Sequence, residues 1–213
     1  HQQRLFCTER RRTMTDDLLL NGMATAFGIP LEEVLPFVET TVKSRFELKD
    51  CTPCLRPYNT TDNTAHVENH DSAFTQTQIV HFENFIDSLS NLSRKPTKCD
   101  FLLSKTNSNS TIAFLELSES AAQYALESKY STAQHQLRAA IELVAERDRQ
   151  LLPQYGQRLA VYAYRITDDD SHPMQKNAQL WGRATRPNSI TSQADFGYGF
   201  QFKMVRYPAP IVL

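Results

Sequence analysis

The sequence predicts an α/β protein with a mixed β-sheet flanked by helices and preceded by an N-terminal helical extension. Three observations support this prediction. Two short apolar strands joined by a polar turn lie in the middle of the chain, an amphipathic helix follows them, and a further apolar strand follows that helix. Strands and helices in this order pack as a layered α/β structure. The 213 residues, of which 40% are hydrophobic, suffice to bury such a core.

Composition narrows the class of protein. Lys and Arg total 23 against 24 Asp and Glu, so the chain has no global basic excess, although a local basic surface stays open. No apolar run reaches the roughly 18 residues of a membrane span. The N-terminal charges are followed by no apolar segment of the kind found in secretory signals. Four cysteines are too few for a disulfide framework, and we expect an intracellular protein, cytoplasmic or nuclear.

The first part of the chain, residues 1–70, is predicted to be the N-terminal helical extension and a loop. A helix over 16–27 is indicated by apolar residues at helical spacing, with Thr15 and Asp16 as candidate caps; the apolar residues are Leu18, Leu19, Leu20, Met23 and Phe27. A second helix is predicted over 31–43. Residues 51–71 are rich in Pro, Asn, Thr and Asp, which is typical of a loop and marks a boundary.

Residues 71–170 are predicted to form the α/β core. Its predicted elements are a helix over 76–89, a strand over 99–103, a polar turn over 105–110, a strand over 111–117, a helix over 129–147 and a strand over 158–166. A polar loop is expected over 168–177. Residues 171–213 carry alternating aromatic positions and are predicted to extend the core with one or two further strands.

Two acidic residues are placed where they could meet. Asp100 opens one strand of the predicted hairpin and Glu116 closes the next, sixteen residues later, so both can lie at one edge of the sheet. Two carboxylates in an apolar setting repel each other unless a cation lies between them. Mg²⁺ prefers such oxygen ligands. A metal held there can deprotonate water and neutralise the charge that builds on a phosphodiester.

Three stretches carry a resemblance to a known family: CDFLL at 99–103, FLELS at 114–118 and KYSTAQHQL at 129–137. Together they resemble the core of the PD-(D/E)XK nuclease superfamily, over roughly residues 75–166. In that family an Asp on one strand and an E-x-K motif on the next bind the metal. The following helix often carries a Lys or Gln that faces the site, and a Glu on the preceding helix joins in some members.

The resemblance implies a restriction-endonuclease-like α/β/α core and a nuclease that depends on Mg²⁺ or Mn²⁺. It implies Asp100 and Glu116 as metal ligands and catalytic residues, with Glu83 as a third ligand. Lys129 and Gln136 would support the attacking water or the phosphate. The implied partner is nucleic acid, DNA in preference to RNA, and a protein partner or a second copy of the chain stays open.

The chain departs from the family pattern at Ser118, which occupies the position of the E-x-K lysine. Lys129 or Lys105 could take over that role. The alternative is a catalytically impaired module that binds nucleic acid or a protein within a larger assembly. A third interpretation is an interaction domain without nuclease ancestry, in which the carboxylates are surface groups. The short segment before Asp100 also leaves little room for a strand, so the tail could supply the sheet edge.

A second metal site is suggested by cysteine and histidine spacing. Cys51, Cys54, His66 and His70 give C-x2-C-x11-H-x3-H, a set of ligands that can close a tetrahedral shell around a structural Zn²⁺. The intervening residues lack the apolar and basic positions of a DNA-reading finger. The competing interpretation is two ordinary free thiols and two surface histidines.

Overall fold

The computed structural model describes residues 17–58, 63–92, 94–106, 108–120, 126–166, 189–192 and 196–213. The helices are α1 (Leu18–Phe27), α2 (Leu31–Val34), α3 (Phe82–Ser88) and α4 (Leu126–Arg147), with 3-10 turns at Leu35–Phe37 and Leu152–Gln154. The strands are β1 (Val38–Thr41), β2 (Arg45–Leu48), β3 (Leu55–Arg56), β4 (Ala65–Glu68), β5 (Thr77–His81), β6 (Phe101–Lys105), β7 (Thr111–Ser120), β8 (Gln157–Ile166), β9 (Ser189–Ser192), β10 (Gln201–Arg206) and β11 (Pro210–Val212).

A seven-stranded mixed sheet forms the centre of the fold, in the order β1-β5-β6-β7-β8-β10-β9. Strand β8 pairs in parallel with β7 on one side and with β10 on the other, and the remaining pairs are antiparallel. Parallel neighbours need a crossover connection, and α4 supplies it between β7 and β8. The predicted α/β fold, with a mixed sheet flanked by helices and with N-terminal helices, is confirmed.

The two faces of this sheet are covered differently. Leu102, Phe114 and Tyr162 project toward the helices, where they share one core with apolar residues of α1, α3 and α4. Leu103 and Leu115 project to the other face, into a second core that a four-stranded sheet covers. That sheet has the order β11-β4-β2-β3. Alternation along each strand therefore fills two cores from one central sheet.

Helix α1 has defined ends. The side chain of Asp17 accepts the N–H of Leu20 at 3.0 Å and so caps the first turn. Gly28 ends the helix with φ of 64°, a left-handed conformation that glycine adopts at little cost. The predicted caps Thr15 and Asp16 lie outside the described residues, and the observed cap is the next acidic residue along the chain.

Three predicted elements are wrong. The helix predicted over 76–89 begins only at Phe82, because Thr77–His81 is strand β5. The helix predicted over 31–43 gives way to β1 at Val38, where a β-branched run favours extended backbone. The loop predicted over 51–71 contains β3 and β4.

The sequence did not predict strand β5 because the strand is buried throughout. All five of its residues are buried, three of them polar, and the two apolar residues Ile79 and Val80 are consecutive, so the alternation typical of a strand is absent. Such a run is compatible with one side of a helix. Strand β4 was also not predicted, because its polar residue His66 is typical of a loop but lies in the interior.

The sheet edges come from both ends of the chain. Strands β9 and β10 extend the sheet beyond β8, whereas β5 and β1 lie beside β6. The expectation that the tail supplies the edge next to the Asp100 strand is therefore wrong, because residues before Asp100 form the strands there. Strand β1 therefore belongs to the central sheet although it precedes residue 70. The polar loop predicted over 168–177 lies outside the described residues. In the described ranges no single helix could span a membrane, although the bent pair Leu18–Phe27 and Leu31–Phe37 passes on length and composition alone.

Candidate functional site

The candidate site lies where two central strands separate. The β6–β7 ladder ends with Phe101 opposite Leu115, which places Asp100 and Glu116 at the next step across the pair. Strand β7 continues to pair with β8 as far as Ser120. Among the described residues, no strand pairs with the β6 side of β7 beyond Glu116, and the two carboxylates lie at the start of that opening.

The two carboxylates are buried and only partly satisfied. Asp100 is 9% exposed and Glu116 is 8% exposed. The Oδ2 atom of Asp100 accepts the main-chain N–H of Leu117 at 2.7 Å. The carboxylate thus accepts the hydrogen bond that a neighbouring strand would accept if the β6–β7 ladder continued. The Oε2 atom of Glu116 has no hydrogen-bond partner among the described residues. A buried acceptor without a donor is costly, and a cation would satisfy it.

Burial and neighbouring charge shift both acids in the same direction. Burial raises the pKa of Asp100 to about 7, against the opposing effect of the Leu117 N–H, and the charges of Asp50 and Glu83 add to the increase. Burial also raises the pKa of Glu116 to about 9, and the charge of Asp100 contributes. Two adjacent acids that resist ionisation together are typical of a site that holds a cation or carries out acid–base chemistry.

Two clefts flank the pair. The first, of about 240 Å³, has a strongly acidic lining. Its lining residues include Asp50, His81, Glu83, Asn84 and Asp100. The second, of about 220 Å³, lies between β7 and α4. Its lining residues include Glu116, Ser118, Lys129, Gln136 and Tyr162. Every residue that the resemblance assigns to the site therefore lines one of these two clefts.

The supporting residues have partners of their own. Lys129 is half-buried in the second cleft, and its Nζ donates to the main-chain carbonyl of Glu119. Gln136 donates from Nε2 to the carbonyl of Lys98 at 3.4 Å. Glu83 is half-exposed, with an Oε1 atom 4.0 Å from the Nζ of Lys98. Lys129 thus supplies a cation on the same side as Ser118, from the first turns of the following helix.

Lys105 does not join the site. It lies at the end of β6 opposite to Asp100, and its Nζ donates to Asp71 Oδ2 at 2.6 Å. Of the two lysines considered as replacements for the E-x-K lysine, only Lys129 lies near the carboxylates.

Asp50 is a site residue that the sequence did not reveal. It follows β2 in the small sheet, lines the acidic cleft and raises the pKa of Asp100 by its charge. Its position depends on how the small sheet packs against the central one. Asp50 and Asp100 lie far apart in the sequence, and no local pattern links them.

The four residues of the predicted zinc site are not brought together. Cys51 accepts a hydrogen bond from Arg56 at 3.1 Å. His66 and His70 lie on either side of Glu68, at 3.3 and 3.0 Å from its two carboxylate oxygens. Cys54 lies in the inter-sheet core, and no three of the four side chains have ligand atoms all within 4.8 Å of one another. The predicted grouping is therefore corrected, because His66 in β4 and His70 just after that strand both contact Glu68.

No family model matches the chain, and searches of curated proteins and of solved structures return no significant match. The functional argument therefore depends on the geometry of the described residues.

The carboxylate pair fits an oxygen-preferring divalent ion. Asp100 and Glu116 are adjacent, buried and negatively charged when ionised, and one oxygen of Glu116 lacks a donor among the described residues. Mg²⁺ and Mn²⁺ are bound by one or two carboxylates, with water and substrate oxygens completing the shell. The acidic cleft beside Asp100 provides room for those further ligands.

Proposed function

We propose that the protein is a metal-dependent nuclease that hydrolyses phosphodiester bonds in nucleic acid, with Mg²⁺ or Mn²⁺ held by Asp100 and Glu116. The observation that carries the proposal is the buried carboxylate pair with an unsatisfied Glu116 oxygen at the frayed β6–β7 ladder. A bound divalent ion would lower the pKa of a coordinated water and stabilise negative charge on the phosphate. Glu83 lines the same cleft and adds negative charge near Asp100, but the three carboxylates do not form a group with oxygen atoms all within 4.8 Å of one another, so the direct protein ligands are Asp100 and Glu116.

The residues around the pair divide into two groups. Asp50, Glu83 and Asp100 make the first cleft acidic, which attracts cations and repels a phosphate that arrives without one. Lys129 and Gln136 line the second cleft and carry donors, which suit phosphate oxygens. The scissile phosphate would therefore approach from the α4 side, with the metal between it and the acidic cleft.

Lys129 takes the place of the lysine missing at Ser118. Its Nζ already reaches the main chain of β7 at Glu119, one residue beyond Ser118, so the side chain extends from α4 across the cleft. A cation there can position the attacking water or offset charge on the phosphate. In this proposal the lysine comes from the helix instead of the strand, and its positive charge still lies at the opening beside β7.

A cleavage assay with matched variants tests the proposal. The protein is incubated with linear and circular DNA and with RNA, in the presence of Mg²⁺, Mn²⁺ or a chelator. Asp100→Asn and Glu116→Gln keep the shape of each side chain and remove its charge. Glu119→Gln is the control, since Glu119 lies on the same strand and its side chain contacts Thr64 instead of the site.

The expected result is metal-dependent cleavage by the parent and by Glu119→Gln, and none by the other two variants. Cleavage that persists in Asp100→Asn and Glu116→Gln would come from another site or a contaminant and would refute the proposal. Comparing the substrates also determines whether DNA is preferred to RNA.

A second function is favoured by Ser118. Without the strand lysine, and with Lys129 held by a main-chain carbonyl, the same site could bind nucleic acid and a metal without cutting. If the protein is such an impaired module, a gel-shift experiment with the same substrates and metals should show that it binds DNA or RNA only when the metal is present. That binding would be lost in Glu116→Gln, while the substrate would stay intact.

A further inference from the structure

A second cluster of metal-binding side chains lies on the other face of the central sheet. Glu39 is opposite Ile79 in the β1–β5 ladder, and His81 lies two residues beyond Ile79, so both side chains project from one face. Ile79 belongs to the core between the two sheets, as does Cys54, which immediately precedes β3. Three separate segments thus meet at the rim of the inter-sheet core.

The contacts within this cluster are close. One ligand atom from each of Glu39, Cys54 and His81 lies within 4.8 Å of the other two. The Nε2 atom of His81 is 2.5 Å from Glu39 Oε1. The Glu39 carboxylate also accepts the main-chain N–H of Cys54 at 2.7 Å and that of Leu55 at 3.1 Å. Cys54 is fully buried and His81 is 6% exposed, so their positions are fixed by packing.

We propose that Glu39, Cys54 and His81 bind a Zn²⁺ ion that joins the small sheet to the central one. Sulfur, nitrogen and oxygen donors are the ligand types that zinc takes in proteins. A thiolate and a carboxylate balance the two positive charges of the ion, which suits a buried position. Three protein ligands leave a fourth position, and His81 lines the acidic cleft from which water can fill it.

The electrostatics of the cluster favour a cation. Although burial raises the pKa of Glu39, hydrogen bonds from the Cys54 amide, the His81 ring and the Leu55 amide outweigh it and lower that pKa. Burial raises the pKa of the Cys54 thiol, and the Glu39 charge raises it further. A fixed carboxylate beside a buried thiol is an unfavourable neighbour for a thiolate, and a divalent ion reverses that repulsion.

This site has its own set of ligands, although His81 and Asp100 line the same acidic cleft. It uses none of the ligands of the proposed nuclease site, it contains sulfur, and its three side chains come from β1, β5 and the segment before β3. It also differs from the grouping that cysteine and histidine spacing suggested, with which it shares only Cys54. The two zinc assignments can therefore be separated by variants of single residues.

Cobalt substitution provides the test. Metal-free protein is titrated with Co²⁺, and the expected result is a thiolate-to-cobalt charge-transfer band with tetrahedral visible bands, both removed by one equivalent of Zn²⁺. Cys54→Ser and His81→Gln are expected to lose these bands. Cys51→Ser and His66→Gln are the matched controls and are expected to keep them, as is Asp100→Asn, because the carboxylate site holds no sulfur.

X-ray absorption of the zinc-loaded parent gives a second measurement that needs no variant. One sulfur and otherwise nitrogen or oxygen ligands support the proposal. Two sulfurs, or loss of the cobalt bands in Cys51→Ser and His66→Gln, would assign the metal to the other grouping and overturn it. Absence of any thiolate–cobalt band in the folded parent would show that the cluster is a hydrogen-bonded network only.

Discussion

Glu116→Gln should stabilise the metal-free protein at alkaline pH while it abolishes metal binding. The substitution keeps the size of the side chain and removes an ionisable group from a buried pair. The pKa of Glu116 rises from 4.5 to about 9 on folding, chiefly through burial and then through the charge of Asp100. At neutral pH the folded protein therefore still holds on Glu116 a proton that the unfolded chain has already released.

The sign and size of the effect follow from that difference. A raised native pKa gives stability that is fully present below about pH 4.5 and is lost as the pH rises through about 9. At about pH 8 the difference from 4.5 is roughly 3.5 units, which corresponds to roughly 5 kcal/mol. Relaxation of the folded site and residual structure in the unfolded chain reduce this figure, and we expect about 2 kcal/mol of stabilisation.

Urea unfolding at about pH 5 and about pH 8, with chelator, measures the effect. The parent should lose stability between the two pH values, and Glu116→Gln should lose less, with Glu119→Gln behaving as the parent. Adding Mn²⁺ at the higher pH should stabilise the parent and not Glu116→Gln, because only the native parent binds it. Equal stability of parent and Glu116→Gln at about pH 8, with equal pH dependence, would refute the reasoning.

Three further predictions concern the core, a helix end and catalysis. Phe114→Ala should lower the free energy of unfolding by about 3–5 kcal/mol in urea titrations, because the ring is fully buried with an edge contact to Phe200. Gly28→Ala should cost about 1 kcal/mol in the same measurement, since φ is 64° there, whereas Gly156→Ala, which meets only ordinary contacts, should be near neutral. Lys129→Ala should slow DNA cleavage by about a hundredfold or more with unchanged circular dichroism, and unchanged cleavage would exclude the lysine from the reaction.

The carboxylate pair could be found from sequence because a hairpin is local. Two apolar strands and a short polar turn fix which residues are opposite each other, and so the sequence alone sufficed to bring Asp100 and Glu116 together. Lys129 and Gln136 were implied by the resemblance to the nuclease family, and both lie on the helix that follows the hairpin. The information lay within one continuous stretch, from Asp100 to Gln136.

The remaining site residues could not be found in this way. Asp50 reaches the acidic cleft through sheet-on-sheet packing, and Glu39 reaches His81 through the β1–β5 ladder, which joins segments that are distant in the sequence. The sequence pattern of β5 concealed that ladder, because a strand buried on both faces has no alternation. Because β5 was predicted as part of a helix, the sequence did not predict the cluster of Glu39, Cys54 and His81. Cys54 was instead grouped with two histidines that contact Glu68.

The frayed ladder explains why the acids occupy these positions. A strand continuing beyond Phe101 would pair with β7 and satisfy the N–H of Leu117, and it would also close the opening between the clefts. The chain instead begins β6 at Phe101, and the Asp100 carboxylate satisfies that N–H. This arrangement desolvates Asp100 and holds it beside Glu116, which raises the pKa of both acids and leaves a Glu116 oxygen without a donor among the described residues. Since an Asn at position 100 would satisfy the same N–H without the repulsion, backbone pairing alone does not account for an acid there, whereas the proposed binding of a cation would.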